Sequence, residues 1–178
     1  MFDDIWFTYK ARIAAELRLK NNDVHSQAIL IWYAVASAAA GIVGIRFDKF
    51  AGPNTDIYMV VLSMALLVVS LFVANRDYRG RAMMMRANHI ALKKLYEELK
   101  SGAIKPELKP ELYSKLLLEC ENHSSYDDRY FRVFNPKGLT RSPSGTDCAL
   151  TVGMLVVRVL GFGLLYALPV ALVCFAGK

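Results

Sequence analysis

Three long apolar runs interrupt an otherwise polar sequence of 178 residues. The first two runs, residues 28–45 and 57–74, contain no charged side chain, and the third extends over residues 148–176. Because a helix crosses about 30 Å of hydrocarbon with roughly 20 residues, each run is long enough to span a membrane. The pattern predicts an all-α membrane protein with a transmembrane helical hairpin and a third, C-terminal apolar helix. A buried pair of soluble helices is the alternative for the first two runs.

The polar stretches predict a layer of cytoplasmic helices. Residues 1–27 have the pattern of an amphipathic helix with Trp6, Tyr9, Ile13 and Leu17 on one face. We expect this helix to pack on other cytoplasmic helices rather than to lie on the membrane surface. The predicted organisation is an amphipathic helix at 1–27, a transmembrane hairpin at 28–75, a cytoplasmic helical hairpin with a return loop at 76–147, and a third transmembrane segment at 148–178.

The helical pattern of the second run continues into the cytoplasmic region. If Gly80 only weakens the helix, one rod of about 45 residues extends from Ile57 to a C-cap at Gly102. Its cytoplasmic part has an apolar stripe, and the predicted members are Met84, Asn88, Ala91, Leu95 and Leu99. Pro110 begins a shorter helix, which we expect to pair with the rod as an antiparallel hairpin.

The charge distribution predicts the orientation in the membrane. The net charge is +6, and 54% of the residues are hydrophobic while 21% are charged. Basic residues cluster directly after the second run, and this cytoplasmic basic patch consists of Arg76, Arg79, Arg81 and Arg86. The positive-inside rule then places the N-terminus in the cytoplasm and the C-terminal Lys178 outside. A basic patch beside a membrane span indicates lipid headgroups as the partner, so no direct nucleic-acid binding is expected.

One polar stretch contains residues that resemble metal ligands. His123 and Asp127 are four residues apart, and Asp128 follows directly, but no other segment supplies further ligands. We therefore interpret the three as a hydrogen-bonded structural corner and expect no metal and no cofactor. No phosphate-binding glycine loop and no nucleophile elbow are present, which predicts a protein without enzymatic activity.

Two features of the membrane segments are candidates for function. The first run has small residues at helical spacing, including Ser37, Gly41 and Gly44, which form a close seam either with the second run or with another copy. Arg158 lies inside the third run. It either anchors this segment at the headgroups, if the span begins near Val159, or lies near the bilayer centre and lines a water-filled pore.

The order of these segments resembles the SLATT proteins. The resemblance covers roughly residues 8–135 and rests on "ARIAAELRLKNND", "ANRDYRGRA", "HIALKKLYEELKSG" and "ENHSSYDDRYF". Such proteins are bacterial membrane modules associated with nucleotide-signalling and reverse-transcriptase defence systems, and they are thought to open or disrupt the membrane once a partner senses infection. The third run is expected to be an addition to the two-span core of that family.

The resemblance implies a pore-forming effector of the bacterial inner membrane that acts in antiphage defence by abortive infection. Its expected partners are membrane lipid, further copies of itself and a separate sensor protein from a nucleotidyltransferase or reverse-transcriptase system. We expect a homo-oligomer of at least three copies, held partly by the region of Leu92, Leu95 and Leu99. The alternative is a non-conducting membrane scaffold that anchors a cytoplasmic partner through the stripe from Met84 to Leu99.

Overall fold

A computed structural model describes residues 2–47, 49–50, 52–136 and 139–176. These residues contain no strand, and three of their helices are long and apolar enough to cross a membrane, which confirms the predicted all-α membrane fold. Met1 and Lys178, for which the sequence predicted a cytoplasmic and an outside position, lie outside the described residues. The helices are α1 (Asp3–Arg46), α2 (Thr55–Arg76), α3 (Tyr78–Ser101), α4 (Lys109–Leu118), α5 (Ser125–Phe134) and α6 (Gly145–Ala176), with a 3₁₀ turn at Pro106–Leu108.

The chain divides into two compact units. The polar unit contains the residues up to Asn22 together with Tyr78–Leu155, and the apolar unit contains Asp23–Asp77 together with α6 from Val156 onwards. Helix α1 contributes residues to both units because the stretch from Lys20 to Ala28 contains neither proline nor glycine, so nothing ends the helix there. The amphipathic segment and the first apolar run are therefore one helix.

The first part of α1 packs inside the polar unit, as the sequence predicted. Ile5 and Tyr9 form one buried cluster with the leucines of α3 at 92, 95 and 99, and side chains of α4 pack against this cluster. A second cluster joins Ala15 and Leu19 to α3. The predicted stripe was wrong at Leu17, which is 54% exposed, because the buried face is rotated toward Ala11, Ala15 and Leu19.

The predicted rod from Ile57 to Gly102 is interrupted. Asp77 has a left-handed backbone conformation (φ 40°, ψ 50°) between α2 and α3, so the break occurs at Asp77 and not at Gly80. Gly102 follows α3 with φ 77°, which agrees with the predicted C-cap. On α3 the buried stripe is Ala82, Met85, Asn88, Leu92, Leu95 and Leu99, whereas the predicted member Met84 is 46% exposed.

The predicted return loop contains an additional helix, α5. Ser124 caps it: its hydroxyl accepts the Asp127 backbone N–H, and the Asp127 carboxylate accepts the Ser124 backbone N–H. This reciprocal pattern is a capping box with aspartate at the third position. The serine–aspartate spacing was therefore a local signal for a helix start, and the polar composition of the stretch concealed it.

In the apolar unit, α1, α2 and α6 pack around a small aromatic core. Ile29, Tyr33 and Ala40 of α1 are buried with Tyr58 and Leu62 of α2, and side chains of α6 cover this cluster. The outward faces are apolar and exposed. Among the 18 most apolar consecutive residues of each helix, only 17% are buried in α1, 11% in α2 and 6% in α6. Such surfaces are stable in lipid rather than in water.

Charged side chains occur only near the two ends of the apolar unit. Residues 26–45, 57–75 and 159–176 contain no Asp, Glu, Lys or Arg. These stretches of 20, 19 and 18 residues correspond to about 27–30 Å of helix, which matches the hydrocarbon thickness. The apolar unit therefore has the dimensions of a three-helix membrane domain.

Candidate functional site

Polar side chains connect α1 to three other helices of the polar unit. The pairs are Asp4 with Lys109 of α4 (2.8 Å), Thr8 with Tyr113 of α4 (2.7 Å), Arg12 with Asn88 of α3, Glu16 with His89 of α3 (2.7 Å), and Arg18 with Asp127 of α5 (2.7 and 3.0 Å). Hydrogen bonds have strict geometry, so this series specifies both the rotation of α1 and its position along its axis. A displacement of this helix would break several pairs together.

Arg12 is fully buried at the centre of this series. Its Nη1 donates to the Asn88 side-chain oxygen and to the Leu116 carbonyl oxygen (3.4 Å), and the Asn88 Nδ2 donates to the same carbonyl (2.6 Å). The Nε and Nη2 groups of Arg12 have no hydrogen-bond partner within the described residues. A buried guanidinium with neutral partners is costly, and sequence reasoning missed this residue because charged residues are normally exposed.

The predicted corner residues lie at the start of α5. Asp127 is 1% exposed on its side chain, and its carboxylate accepts the Ser124 hydroxyl (2.7 Å) as well as two bonds from Arg18. This two-bond pair with a partly buried arginine is a strong kind of ionic contact. Asp127 thereby connects the N-terminus of α5 to α1.

Asp128 belongs to a second ionic group. It accepts a hydrogen bond from Arg132 (3.1 Å), and Arg132 also donates to Asp147 in the first turn of α6 (3.0 Å). The side chain of Arg132 is 4% exposed, whereas those of Asp128 and Asp147 are 17% and 22% exposed, so water still reaches the carboxylates. Asp127 and Asp128 therefore face different neighbours: Asp127 connects α5 to α1, and Asp128 holds Arg132, which connects α5 to α6.

His123 lies before the capping serine and is partly buried. Its Nδ1 has no hydrogen-bond partner within the described residues. Burial lowers the pKa of His123, and the positive charge of Arg12 lowers it further, while Asp127 and Asp128 raise it less. Burial also raises the pKa of the Cys120 thiol. No group of three or more His, Cys, Asp or Glu side chains in the described parts of the chain could hold a metal ion.

The four arginines of the predicted basic patch have different surroundings. Arg76 lies at the end of α2 in the apolar unit, with its guanidinium carbon 4.8 Å from the centre of the Phe72 ring. Arg81 on α3 pairs with Glu121 (2.8 Å). Arg79 and Arg86, also on α3, are exposed.

The small residues of the first membrane segment face its neighbours within the chain. A methyl group added at Gly41 would lie 3.9 Å from the Met59 side chain of α2, and one added at Gly44 would lie 3.9 Å from the Phe50 ring. Ser37 is half-buried on the same helix. This arrangement is the intramolecular seam that the sequence analysis left open beside an intermolecular one.

Arg158 lies close to one end of the apolar unit. It occupies the third position of α6 within that unit, and its guanidinium carbon is 5.7 Å from the centre of the Phe162 ring. His25, near the start of the α1 segment of the same unit, stacks on the Phe162 ring at 4.5 Å. Arg158 is therefore beside the first turns of the apolar unit and not in its middle.

Two polar contacts inside the apolar unit involve backbone carbonyl groups of α6. The Tyr33 hydroxyl donates to the Leu165 carbonyl (3.1 Å), and the Trp32 Nε1 donates to the Tyr166 carbonyl (3.0 Å). Pro169, four residues after Leu165, is fully buried inside the helix. Sequence reasoning missed these contacts, although a proline in the middle of an apolar run was a signal that carbonyl groups before it need other donors.

Comparison with known proteins identified one similarity. A family described as "SMODS and SLOG-associating 2TM effector domain family 5" matches residues 1–175. The match includes α6, so the expectation that the third apolar segment is an addition outside the family core was wrong. Neither a search of curated proteins nor a search of solved structures found a match to this chain.

Proposed function

Since the chain belongs to family 5 of the SMODS- and SLOG-associating two-transmembrane effector domains, which the sequence predicted as SLATT, we propose that it is a membrane effector of bacterial antiphage defence. It oligomerises and permeabilises the inner membrane when a partner or a nucleotide signal triggers it. The observation that carries this proposal is the coverage of the family match, which extends over both the polar and the apolar unit.

Permeabilisation requires several copies of the chain. The apolar unit has only three helices, its uncharged stretches are 18–20 residues long, and its outward faces consist of apolar side chains. Three helices packed around a core cannot enclose water and still satisfy their polar groups, whereas a ring of units can surround an aqueous path. This reasoning supports a homo-oligomer and membrane lipid as the surroundings of the resting protein.

The oligomer contacts that we expected on α3 need revision. Leu92, Leu95 and Leu99 are at most 5% exposed and pack against α1 of the same chain. They therefore offer no surface to a second copy or to an anchored partner. The scaffold alternative loses its expected binding stripe for the same reason, although Met83, Met84 and Ile90 on α3 remain exposed.

The polar unit is the proposed receiver of the trigger. The five polar pairs around α1 fix this helix in one position, and the same helix continues into the apolar unit. A separate sensor that displaced α1 would act directly on a membrane segment. We propose no enzymatic role, because the carboxylates of Glu16, Asp127 and Asp147 pair with basic side chains of other helices and so serve packing.

The orientation follows from the basic residues. Arg79, Arg81 and Arg86 belong to the polar unit, and the positive-inside rule places such clusters in the cytoplasm. The N-terminus is then cytoplasmic, and the C-terminus lies outside the inner membrane. Arg158, beside the first turns of the apolar unit, anchors α6 at the cytoplasmic headgroups.

The decisive experiment measures membrane potential in bacteria that express the chain with its defence-system partner genes. We expect the potential to collapse within minutes of phage infection and to persist in cells that lack the partner. Purified protein in lipid nanodiscs should form assemblies of three or more copies. Protection from phage with an intact potential would contradict permeabilisation and favour a scaffold, and purely monomeric protein with and without the partner would exclude a pore.

A further inference from the structure

Pro169 creates a defect in the hydrogen bonding of α6. Proline has no N–H group, and its ring crowds the carbonyl of the residue four positions earlier, which is Leu165. Leu165 is six residues beyond Val159, where the uncharged stretch of α6 begins, so it lies about 9 Å along the span. No water is available at that depth in a lipid bilayer, and an unsatisfied carbonyl there is costly.

Helix α1 supplies the donor that the Leu165 carbonyl lacks, and it gives a second donor to the Tyr166 carbonyl, which the Val170 N–H of α6 can also reach. Tyr33 is fully buried, and its hydroxyl reaches the Leu165 carbonyl at 3.1 Å. The neighbouring Trp32 donates from Nε1 to the Tyr166 carbonyl at 3.0 Å. Two successive side chains of α1 thus contact two successive carbonyl groups of α6, and Pro169 itself is buried beside them. We name this set, formed by Trp32, Tyr33 and the carbonyl groups of Leu165 and Tyr166, the carbonyl latch.

We propose that the carbonyl latch holds the apolar unit in its resting, closed arrangement, and that its release exposes the Leu165 carbonyl group to an aqueous path that passes cations. The role in conduction rests on the proposed permeabilising function. The contribution of the latch hydrogen bonds to stability does not depend on that function, so stability and conduction can be tested separately.

One property of the apolar unit and two general properties of membrane helices lead to this inference. The central stretches of the unit contain no charged side chain, and the Leu165 carbonyl lacks the helix donor that the other backbone carbonyl groups at that depth have. Carbonyl oxygens carry partial negative charge and coordinate cations in ion pathways. Hydrogen bonds between membrane helices are individually weak, so a latch of two such bonds can open when α1 is displaced or when water replaces its donors.

A double-mutant cycle tests the latch itself. The four proteins are the natural chain, Tyr33→Phe, Pro169→Ala and the double variant, each unfolded in mixed micelles. With Pro169 present, Tyr33→Phe should shift the unfolding equilibrium by about 3- to 15-fold, the range for single hydrogen bonds between membrane helices. With alanine at 169, the new N–H satisfies the Leu165 carbonyl, and Tyr33→Phe should shift the equilibrium less than about twofold.

Tyr58→Phe is the matched control, because Tyr58 is a buried tyrosine of the same core on α2. It should have the same effect in both backgrounds. An equal effect of Tyr33→Phe in the two backgrounds would overturn the latch. If Tyr33→Phe protein cannot be isolated, Tyr33→Leu takes its place in the cycle with the same expectation. Trp32→Phe should have the same effect in both backgrounds, because alanine at 169 adds no donor to the Tyr166 carbonyl.

Ion flux through the same variants tests the role in conduction. Tyr33→Phe should raise potassium flux from proteoliposomes several-fold at equal protein density, Pro169→Ala should lower it, and chloride flux should stay small. If the double-mutant cycle shows coupling but no variant passes ions, even after its partner triggers it, the proposed permeabilising function is refuted. The stabilising role of the latch would then still hold. Flux that is indifferent to both substitutions or that favours chloride would refute the gating and cation roles of the latch.

Discussion

Buried polar residues show what the trigger would have to overcome. Within the described residues, Arg12 lacks partners for two of its nitrogen groups and His123 for its Nδ1, and Arg12 has no exposed surface. The hydrogen bonds that Arg12 does make, to Asn88 of α3 and to the Leu116 carbonyl of α4, require α1, α3 and α4 to hold specific positions. A polar core of this kind favours one arrangement of helices, and it loses stability quickly when a partner moves or gains a proton.

Acidification should destabilise the polar unit through His123. Its pKa in the folded protein is lowered by burial and by Arg12, so between that pKa and the ordinary value near 6.5 the unfolded chain binds more protons. Stability is therefore full above about pH 6.5 and decreases as the pH falls below it. Thermal unfolding in detergent between pH 7.5 and 5 should show this decrease in the natural chain.

The variant His123→Asn removes the titrating group and serves as the test of that assignment. It should flatten the part of the profile between pH 6.5 and 5. Glu107→Gln, a change at an exposed position, should leave the profile as in the natural chain. A profile that keeps its slope in His123→Asn would assign the pH dependence to another group.

At the scale of elements, the break between α2 and α3 is a local backbone event. Asp77 is the one described residue other than glycine with positive φ, and aspartate tolerates the left-handed region better than branched residues do. Helix α3 begins directly after Asp77 as a separate helix, and its buried face packs against α1 within the polar unit.

Substitution at Asp77 tests this break. Asp77→Val should destabilise the protein by about 1–2 kcal/mol, because a β-branched residue strongly disfavours φ of 40°. Asp77→Gly, which permits the left-handed backbone conformation, should lose less stability than Asp77→Val. Arg79→Val, an exposed site within α3, should cost only about 0.5 kcal/mol through helix propensity. Equal losses for the two valine variants, measured by chemical unfolding, would indicate an uninterrupted helix.

At the scale of the whole molecule, the charges define where the membrane boundary lies. The uncharged stretches of the apolar unit end within a few residues of Asp23, Arg76 and Arg158 at one side of the hairpin, and of Arg46 and Asp56 at the other. From this distribution we infer that Arg158 lies at a headgroup depth, where its long side chain can reach water. The part of α6 before Val156 then belongs to the polar unit and not to the span.

Neutralising Arg158 should therefore have little effect. Arg158→Gln should keep membrane yield and ion flux within about twofold of the natural chain, because a headgroup anchor contributes little beyond positioning. Leu164→Arg moves a charge to an exposed site six residues further along α6, and it should reduce insertion by about 2.5–3.5 kcal/mol. Altered ion preference in Arg158→Gln at normal yield would instead place Arg158 in the conducting path.

The sequence alone determined the helical class, the three membrane segments and the family, because hydrocarbon requires long uncharged runs that can be read locally. It also indicated the end of α3 at Gly102, since a glycine after a helical pattern is a local signal. The tertiary structure decided which face of each helix is buried. Periodicity shows that a face exists, but the position of α3 against α1 buried Arg12 and left Leu17 exposed. The contact of Tyr33 with the Leu165 carbonyl likewise depends on two helices meeting in space, and no local pattern encodes that meeting.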